Sequence, residues 1–273
     1  MGWPASSPVQ TVTSRARVVL LGQGIGYSAS PPMQNAAFQA AGLNWDYSLL
    51  DLPAEGLGEA VRRLRGPEYR GANVTIPHKI RIMDFLDQLE GDALASGAVN
   101  TICKIDGALI GHNTDVAALR AALGTLGWAG GSRAVILGGG GGARAAAVAL
   151  AGTELTFVVR RPPASPLAGA TYLNWDDASW GRLAQESSLL INATPVGRDE
   201  TDSGPLLAAL PRSGSVIDLV YVRGGTPLVR AARERGRAVC DGWEILLAQG
   251  AAAFGLWTGL AAPLDAMWAA LGK

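Results

Sequence analysis

Lys79 stands at the end of the run Gly71-Ala-Asn73-Val-Thr75-Ile-Pro77-His78-Lys79, where an apolar strand pattern stops at a proline and feeds the next element. Alternate residues of a strand share a face, so Asn73 and Thr75 point together, and strand exits are where α/β proteins place ligands. A second polar cluster, Gly111-His112-Asn113-Thr114-Asp115, opens a helical pattern. A lysine held against a carboxylate stays charged and can donate to a developing alkoxide, the task that hydride transfer to or from an alcohol requires. Each residue also has a plain structural reading. Lys79 would then be a solvated surface lysine, Asn73 and Thr75 turn formers, and Asp115 an acid in a first helical turn.

The third cluster is Gly138, Gly139, Gly140, Gly141 and Gly142. An apolar run at 134–137 precedes it, and an Ala-rich segment and a β-branched apolar run at 155–159 follow. The order strand, tight turn, helix, strand is the βαβ unit that binds dinucleotides. Glycines let the chain turn and approach a pyrophosphate, while the helix N-terminus offers free N–H groups and partial positive charge. A flexible linker is the alternative, but a linker is not flanked at once by a buried-strand pattern and a helix pattern. An NAD site usually places an acid about 20 residues past the first glycine, on the ribose hydroxyl. Arg160 and Arg161 stand there instead. Guanidinium groups suit a 2′-phosphate, so NADP(H) is expected rather than NAD(H).

The elements that must position these clusters can be read along the chain. Strands are expected at 17–21, 44–50 and 72–76, and a hairpin at 99–105 and 108–111 with Asp106-Gly107 at its turn. Ser30 reads as the N-cap of a helix running through about Ala41, with Pro31 at its first position and Gly42 closing it. Further helices are expected at 57–65, 79–89 and 114–126. Beyond a linker-like stretch at 127–132 and the glycine unit come strands at 188–193, 215–220 and 238–240. A helix at 226–235 is closed by Gly236. Strand–helix alternation throughout makes the class α/β, with a mainly parallel sheet in the second half.

Composition narrows the partners. The 23 basic and 23 acidic residues cancel, which gives no footprint for nucleic acid or an anionic membrane. Cys103 and Cys240 lie far apart, so neither a disulfide framework nor a zinc site is expected, and a reducing, cytoplasmic compartment is the default. With only His78 and His112, no metal-hydrolase spacing is present. Residues 1–14 are rich in Pro, Ser and Thr and read as a loose leader rather than a signal peptide. The charge-free run at 245–262 is mostly Ala and Gly and carries Gln249 and Thr258. A buried, close-packed helix is expected there rather than a membrane span.

The chain resembles the shikimate dehydrogenase family, over nearly its whole length and through several motifs in order. These are Ser28-Ala-Ser30-Pro31, Asn73-Val-Thr75-Ile-Pro77-His78-Lys79, Gly97-Ala-Val-Asn100-Thr101 and Asn113-Thr114-Asp115. The glycine turn through Ala143-Arg144, Asn192-Ala-Thr194-Pro195-Val-Gly197, Asp218-Leu-Val-Tyr221 and Gln249 continue the series. The resemblance implies an NADP-dependent enzyme interconverting 3-dehydroshikimate and shikimate, with Lys79 and Asp115 as its proton-transfer pair. It implies that Ser28 and Ser30 hold the substrate carboxylate. Thr75, Asn100, Asp115 and Gln249 would hold ring hydroxyls, with Asn73 and Tyr221 nearby. Glycines 138–142 would take the pyrophosphate and Arg161, with Arg160, the 2′-phosphate, while Thr194, Leu219 and Gly242 lie along the cofactor. It implies a discontinuous substrate domain, 1–114 with 242–273, a Rossmann-type domain at 115–241, and an active site in the cleft between them. A monomer or homodimer is expected.

The chain departs from the family's pattern at a few places. Tyr27 replaces a usual histidine, Gln34-Asn35 a usual His-Asn, and Gly24 a usual proline. The nucleotide strand ends Arg160-Arg161-Pro162 instead of Asn-Arg-Thr, and Trp243-Glu244 replaces small residues. Quinate or aminoshikimate dehydrogenases of the same family are the near alternatives. A non-catalytic NADP-binding sensor would be expected to lose Lys79 or Asp115, and both are present.

Overall fold

A computed structural model describes residues 15–130, 133–163, 166–199 and 203–273. The leader at 1–14 and the end of the linker-like stretch lie outside the described residues.

The first half builds a mixed sheet. Its elements are β1 (Ala16–Gly22), α1 (Ser30–Ala40), β2 (Trp45–Asp51), α2 (Leu57–Leu64), β3 (Tyr69–Val74), β4 (Gln88–Leu89), α3 (Gly91–Ser96), β5 (Thr101–Ile105) and β6 (Ala108–His112). The strand order is β2-β1-β3-β5-β6-β4. β1 runs parallel to β2 and β3, whereas β5 is antiparallel to both β3 and β6. β1 reads as an almost unbroken apolar run because both of its faces are covered. Val19 and Leu21 face a core with α2, while Val18 and Leu20 face α1. The Asp-Gly turn of the hairpin has φ +50° at Asp106 and +85° at Gly107, the left-handed pair such a turn demands.

α4 (Thr114–Thr125) then leads to a second sheet. It comprises β7 (Arg133–Leu137), α5 (Gly141–Ala149), β8 (Glu154–Val159), β9 (Thr171–Asn174), α6 (Ser179–Gln185), β10 (Leu189–Asn192), α7 (Gly204–Ala208), β11 (Ser215–Asp218), α8 (Pro227–Glu234) and β12 (Val239–Cys240). The order is β12-β11-β10-β7-β8-β9, and every pair is parallel. Side chains alternate across it: Ala134 and Ile136 pack toward α4 and α5, Val135 and Leu137 toward α6, α7 and α8. Chain order reverses between β7 and β10, the switch point where open parallel sheets bind ligands. α9 (Gly242–Thr258) and α10 (Leu264–Ala270) return to the first sheet, where Phe254 and Met267 join Phe38 and Met33. The apolar run near the C-terminus is thus a buried helix; Gly250 packs so closely that a Cβ there would lie 2.3 Å from the Met33 methyl. Among the described residues no helix is long and apolar enough to cross a membrane.

Three local expectations are corrected. Ser30 is the first residue of α1 rather than its cap, because the Ser28 hydroxyl accepts the Ser30 N–H at 3.2 Å. β3 stops at Val74, so Thr75 lies in the following turn instead of on the strand. No helix spans 79–89, only a 3₁₀ helix, Arg81–Phe85, followed by β4. Tertiary partners claim that backbone: the Lys79 carbonyl accepts from Val99 N at 2.8 Å. Asp87 exchanges bonds with Leu109, its N–H donating to the Leu109 carbonyl at 3.0 Å and its carboxylate accepting from the Leu109 N–H at 2.7 Å.

Candidate active site

The turn after β3 delivers Lys79 to the start of α4, where its ammonium donates to Asp115 Oδ2 at 2.6 Å. The side chains of Lys79 and Asp115 are 19% and 11% exposed, so the pair is largely shielded but reachable from one side. Asp115 sits in the first turn of α4, below the Asn113 cap whose side chain accepts its N–H. Asp115 is therefore both a first-turn acid and the carboxylate that contacts Lys79. Its other oxygen accepts from Asn100 Nδ2 at 2.8 Å, and Asn100 Oδ1 accepts from Thr114 N at 2.7 Å and Thr101 Oγ1 at 3.0 Å. Thr101 in turn accepts from Asn73 Nδ2 at 2.9 Å, and Asn73 Oδ1 accepts from the Tyr47 hydroxyl at 2.8 Å. Burial holds Tyr47 firmly in its neutral, donating form, against a weaker pull from Ser30. A partly desolvated ion pair is costly unless its remaining lone pairs are satisfied. This network, drawn from β2, β3, β5 and α4, satisfies them and fixes the carboxylate's orientation.

The pair opens on a cleft of about 150 Å³ between the two sheets. Ser28, Ser30, Asn73, Thr75, Asn100, Tyr221 and Gln249, all expected from the sequence, line it together with Lys79 and Asp115. Ser28 and Ser30 lie at the start of α1. Burial pushes the Tyr221 phenol up, partly offset by the Ser28 hydroxyl and the Ala29 backbone, so it stays a neutral hydrogen-bonding group. Gln249 turns its amide to the Leu246 carbonyl at 2.8 Å, leaving its oxygen toward other partners. Ile25, Leu246 and Tyr27 also line the cleft. The first two are apolar walls that no motif marks. Tyr47 and Thr114 belong to the scaffold, and their roles come only from cross-strand contacts.

On the far wall the glycine turn joins β7 to α5. Gly138 has φ +108°, and a Cβ there would lie 3.0 Å from the Ala193 carbonyl, because the loops after β7 and β10 meet at the switch point. Around a Cβ on Gly140 there is open space, and this residue caps the start of α5 without a side-chain hydrogen bond. Uncapped N–H groups facing open space fit a pyrophosphate. Arg160 and Arg161 leave the end of β8, beside this turn, with exposed side chains able to meet a phosphate. Thr194 is tied by its N–H (3.1 Å) and hydroxyl (2.6 Å) to Asn192 Oδ1, which steadies the loop after β10. Gly142, Leu219 and Gly242 reach the cleft itself.

A parallel sheet with a glycine turn at its switch point, facing a lysine–aspartate pair across a cleft, defines a two-domain α/β oxidoreductase with a Rossmann-type nucleotide domain. Residues 20–102 match the family model described as Shikimate dehydrogenase substrate binding domain, and 242–271 match the one described as Shikimate 5'-dehydrogenase C-terminal domain. The Shikimate dehydrogenase (NADP(+)) of Methanothermobacter thermautotrophicus is 39% identical, over 95% of this chain and 97% of the relative. A crystal structure of a shikimate dehydrogenase in complex with NADP+ aligns with TM-score 0.82 at 32% identity, covering 94% of each chain. That of Shikimate 5-dehydrogenase from Thermus thermophilus, in complex with NADP(H) and shikimate, aligns with TM-score 0.80 at 35% identity, covering 93% of this chain and 98% of the other. The chain belongs to the shikimate dehydrogenase family.

Proposed function

We propose that this chain is an NADP-dependent shikimate dehydrogenase, reversibly reducing 3-dehydroshikimate to shikimate on the route to chorismate and the aromatic amino acids. The observation that carries the reading is the 2.6 Å Lys79–Asp115 contact, set in a cleft between hydroxyl-bearing loops and the glycine turn. When bound, NADPH supplies the hydride. Lys79 donates the proton to the oxygen at C3 as charge develops there, and takes it back in the reverse direction. Asp115 keeps the ammonium aimed, and Asn100 keeps Asp115 aimed. Ser28 and Ser30 hold the carboxylate; Thr75, Asn100, Asp115 and Gln249 hold ring hydroxyls, with Asn73 and Tyr221 nearby. Glycines 138–142 take the pyrophosphate, Arg160 and Arg161 the 2′-phosphate, and Thr194, Leu219 and Gly242 line the dinucleotide's path. In this reading 1–114 with 242–273 form the substrate domain and 115–241 the cofactor domain.

The test follows nicotinamide absorbance with shikimate or quinate and NADP⁺ or NAD⁺. Fast reduction is expected with shikimate and NADP⁺. Lys79→Ala is expected to lower kcat by about 10²–10⁴-fold, the usual worth of a positioned acid–base group, with NADPH affinity kept within about twofold. Near-normal turnover in that variant would sink the assignment, and preference for quinate or NAD⁺ would move the substrate or cofactor within the family.

A further inference from the structure

Tyr27 and Arg198 have no part in the reading above, yet they touch across the cleft. Tyr27 follows β1, lines the cleft beside Ser28, and sets its ring 6.5 Å from that of Tyr221. Tyr221 packs at 5.0 Å on Trp243, which is anchored by its indole N–H to the Val222 carbonyl at 2.9 Å. Arg198 arrives from the opposite sheet, on the loop after β10 that also carries Thr194. Its guanidinium carbon stands 3.8 Å from the centre of the Tyr27 ring, a cation–π contact between two exposed side chains. Among the described residues Arg198 forms this cation–π contact and no salt bridge.

The serine end of the cleft is otherwise built from neutral groups, the hydroxyls of Ser28, Ser30 and Tyr221. A carboxylate taken out of water by neutral donors alone keeps a desolvation cost that a nearby cation offsets. The field of Arg198 reaches this end, since it favours ionisation of Tyr221. We infer that Arg198 is a specificity-determining residue: seated on the Tyr27 ring, it carries a positive charge across the cleft to the serine end and selects a carboxylated ring over a neutral one. The inference rests on the reading that Ser28 and Ser30 hold the substrate carboxylate, with Tyr221 nearby. Tyr27 has a distinct task in it, because a flat ring face holds a guanidinium without neutralising it.

The experiment compares shikimate with its neutral methyl ester at saturating NADP⁺, for the wild type, Arg198→Ala, Arg198→Lys, Tyr27→Ala and the Arg198→Ala/Tyr27→Ala double variant. Arg198→Ala is expected to raise KM for the acid about tenfold, the size of one charge-assisted contact, with KM for the ester and for NADP⁺ within about twofold. Arg198→Lys should recover most of the preference for the acid. Tyr27→Ala should reproduce the loss, and the double variant should lose no more than the worse single one, since the two act as a unit. Raising ionic strength should weaken binding of the acid in the wild type and less so in Arg198→Ala. Equal losses on acid and ester, a loss confined to NADP⁺, or no change would each overturn the inference while leaving the dehydrogenase reading intact. A wild type inert toward shikimate would overturn both.

Discussion

In the proposed reading Arg161 and its neighbour Arg160 select the cofactor, because they bring positive charge to the end of β8. A planar guanidinium matches a phosphate with paired hydrogen bonds and gains nothing comparable from a bare hydroxyl. Arg161→Ala is therefore expected to raise KM for NADPH by about 10–100-fold and to change KM for NADH by less than about twofold, with charged hydrogen bonds as the yardstick. Equal losses for both cofactors would assign the 2′-phosphate elsewhere. At this scale the sequence made the candidate residues legible, and the structure pairs two of them: Lys79 after a strand-ending proline and Asp115 in a first helical turn. The wiring beneath them was hidden. Asn73 meets Thr101 through the register of β3 against β5, and Tyr47 reaches Asn73 from β2. Register follows from packing across strands, which periodicity along one strand does not fix. The departures at Gln34-Asn35 gain a meaning here. Asn35 binds both the N–H and the carbonyl of Tyr47, at 2.8 and 2.9 Å, and so holds the first member of the network, while Gln34 donates to the Gly250 carbonyl at 2.9 Å.

The glycine turn shows how one element serves two halves of the site. A Cβ on Gly141 would lie 2.8 Å from Lys79 Cβ and Cδ, so the helix proposed to receive the pyrophosphate also backs the stem of Lys79. Gly141→Ala is expected to push the ammonium off its line and cut kcat by about 10²-fold, the penalty for misplacing a reacting group by roughly an ångström. Gly140→Ala, with open space around its Cβ, should leave Lys79 untouched and weaken NADPH instead. If both variants lost only cofactor affinity, the contact with Lys79 would carry no catalytic weight. That the turn existed was legible from its flanks; that it touches Lys79 was not, because the two lie on different sheets. Elements without strong periodicity also escaped. β9 is a half-exposed edge strand, and α3, α6, α7 and α10 are one- or two-turn helices held by their neighbours rather than by propensity. The segment at 79–89 carried a helical pattern that backbone bonds to Val99 and Leu109 overrode.

For the molecule as a whole, one buried acid sets a term in the pH dependence of stability. Asp218 ends β11 and is fully buried. Burial pushes its pKa up to about 6, although Thr226, the Val220 N–H and Asn192 all donate to it and pull the other way. The folded state therefore holds a proton there that the unfolded chain, near the ordinary carboxylate value of 3.8, has released. Stability from this residue is greatest below about pH 4 and falls as pH rises to about 6, by on the order of 2–3 kcal/mol, and is flat beyond. In urea titrations the difference between wild type and Asp218→Asn should slope across that window and nowhere else; a constant difference would show that Asp218 is ionised in the fold throughout. The alternation of strands and helices made the two-part α/β plan and the parallel second sheet legible. The mixed order of the first sheet was not, since β4 pairs with β6 across a gap that no local signal marks.

The chain passes between the sheets on α4 and returns on α9, and these two helices pack side by side. Asp115 lies in the first turn of one and Gly242 at the start of the other. Both crossings between the halves therefore start at the cleft, where Asp115 and Gly242 line the same space as Lys79.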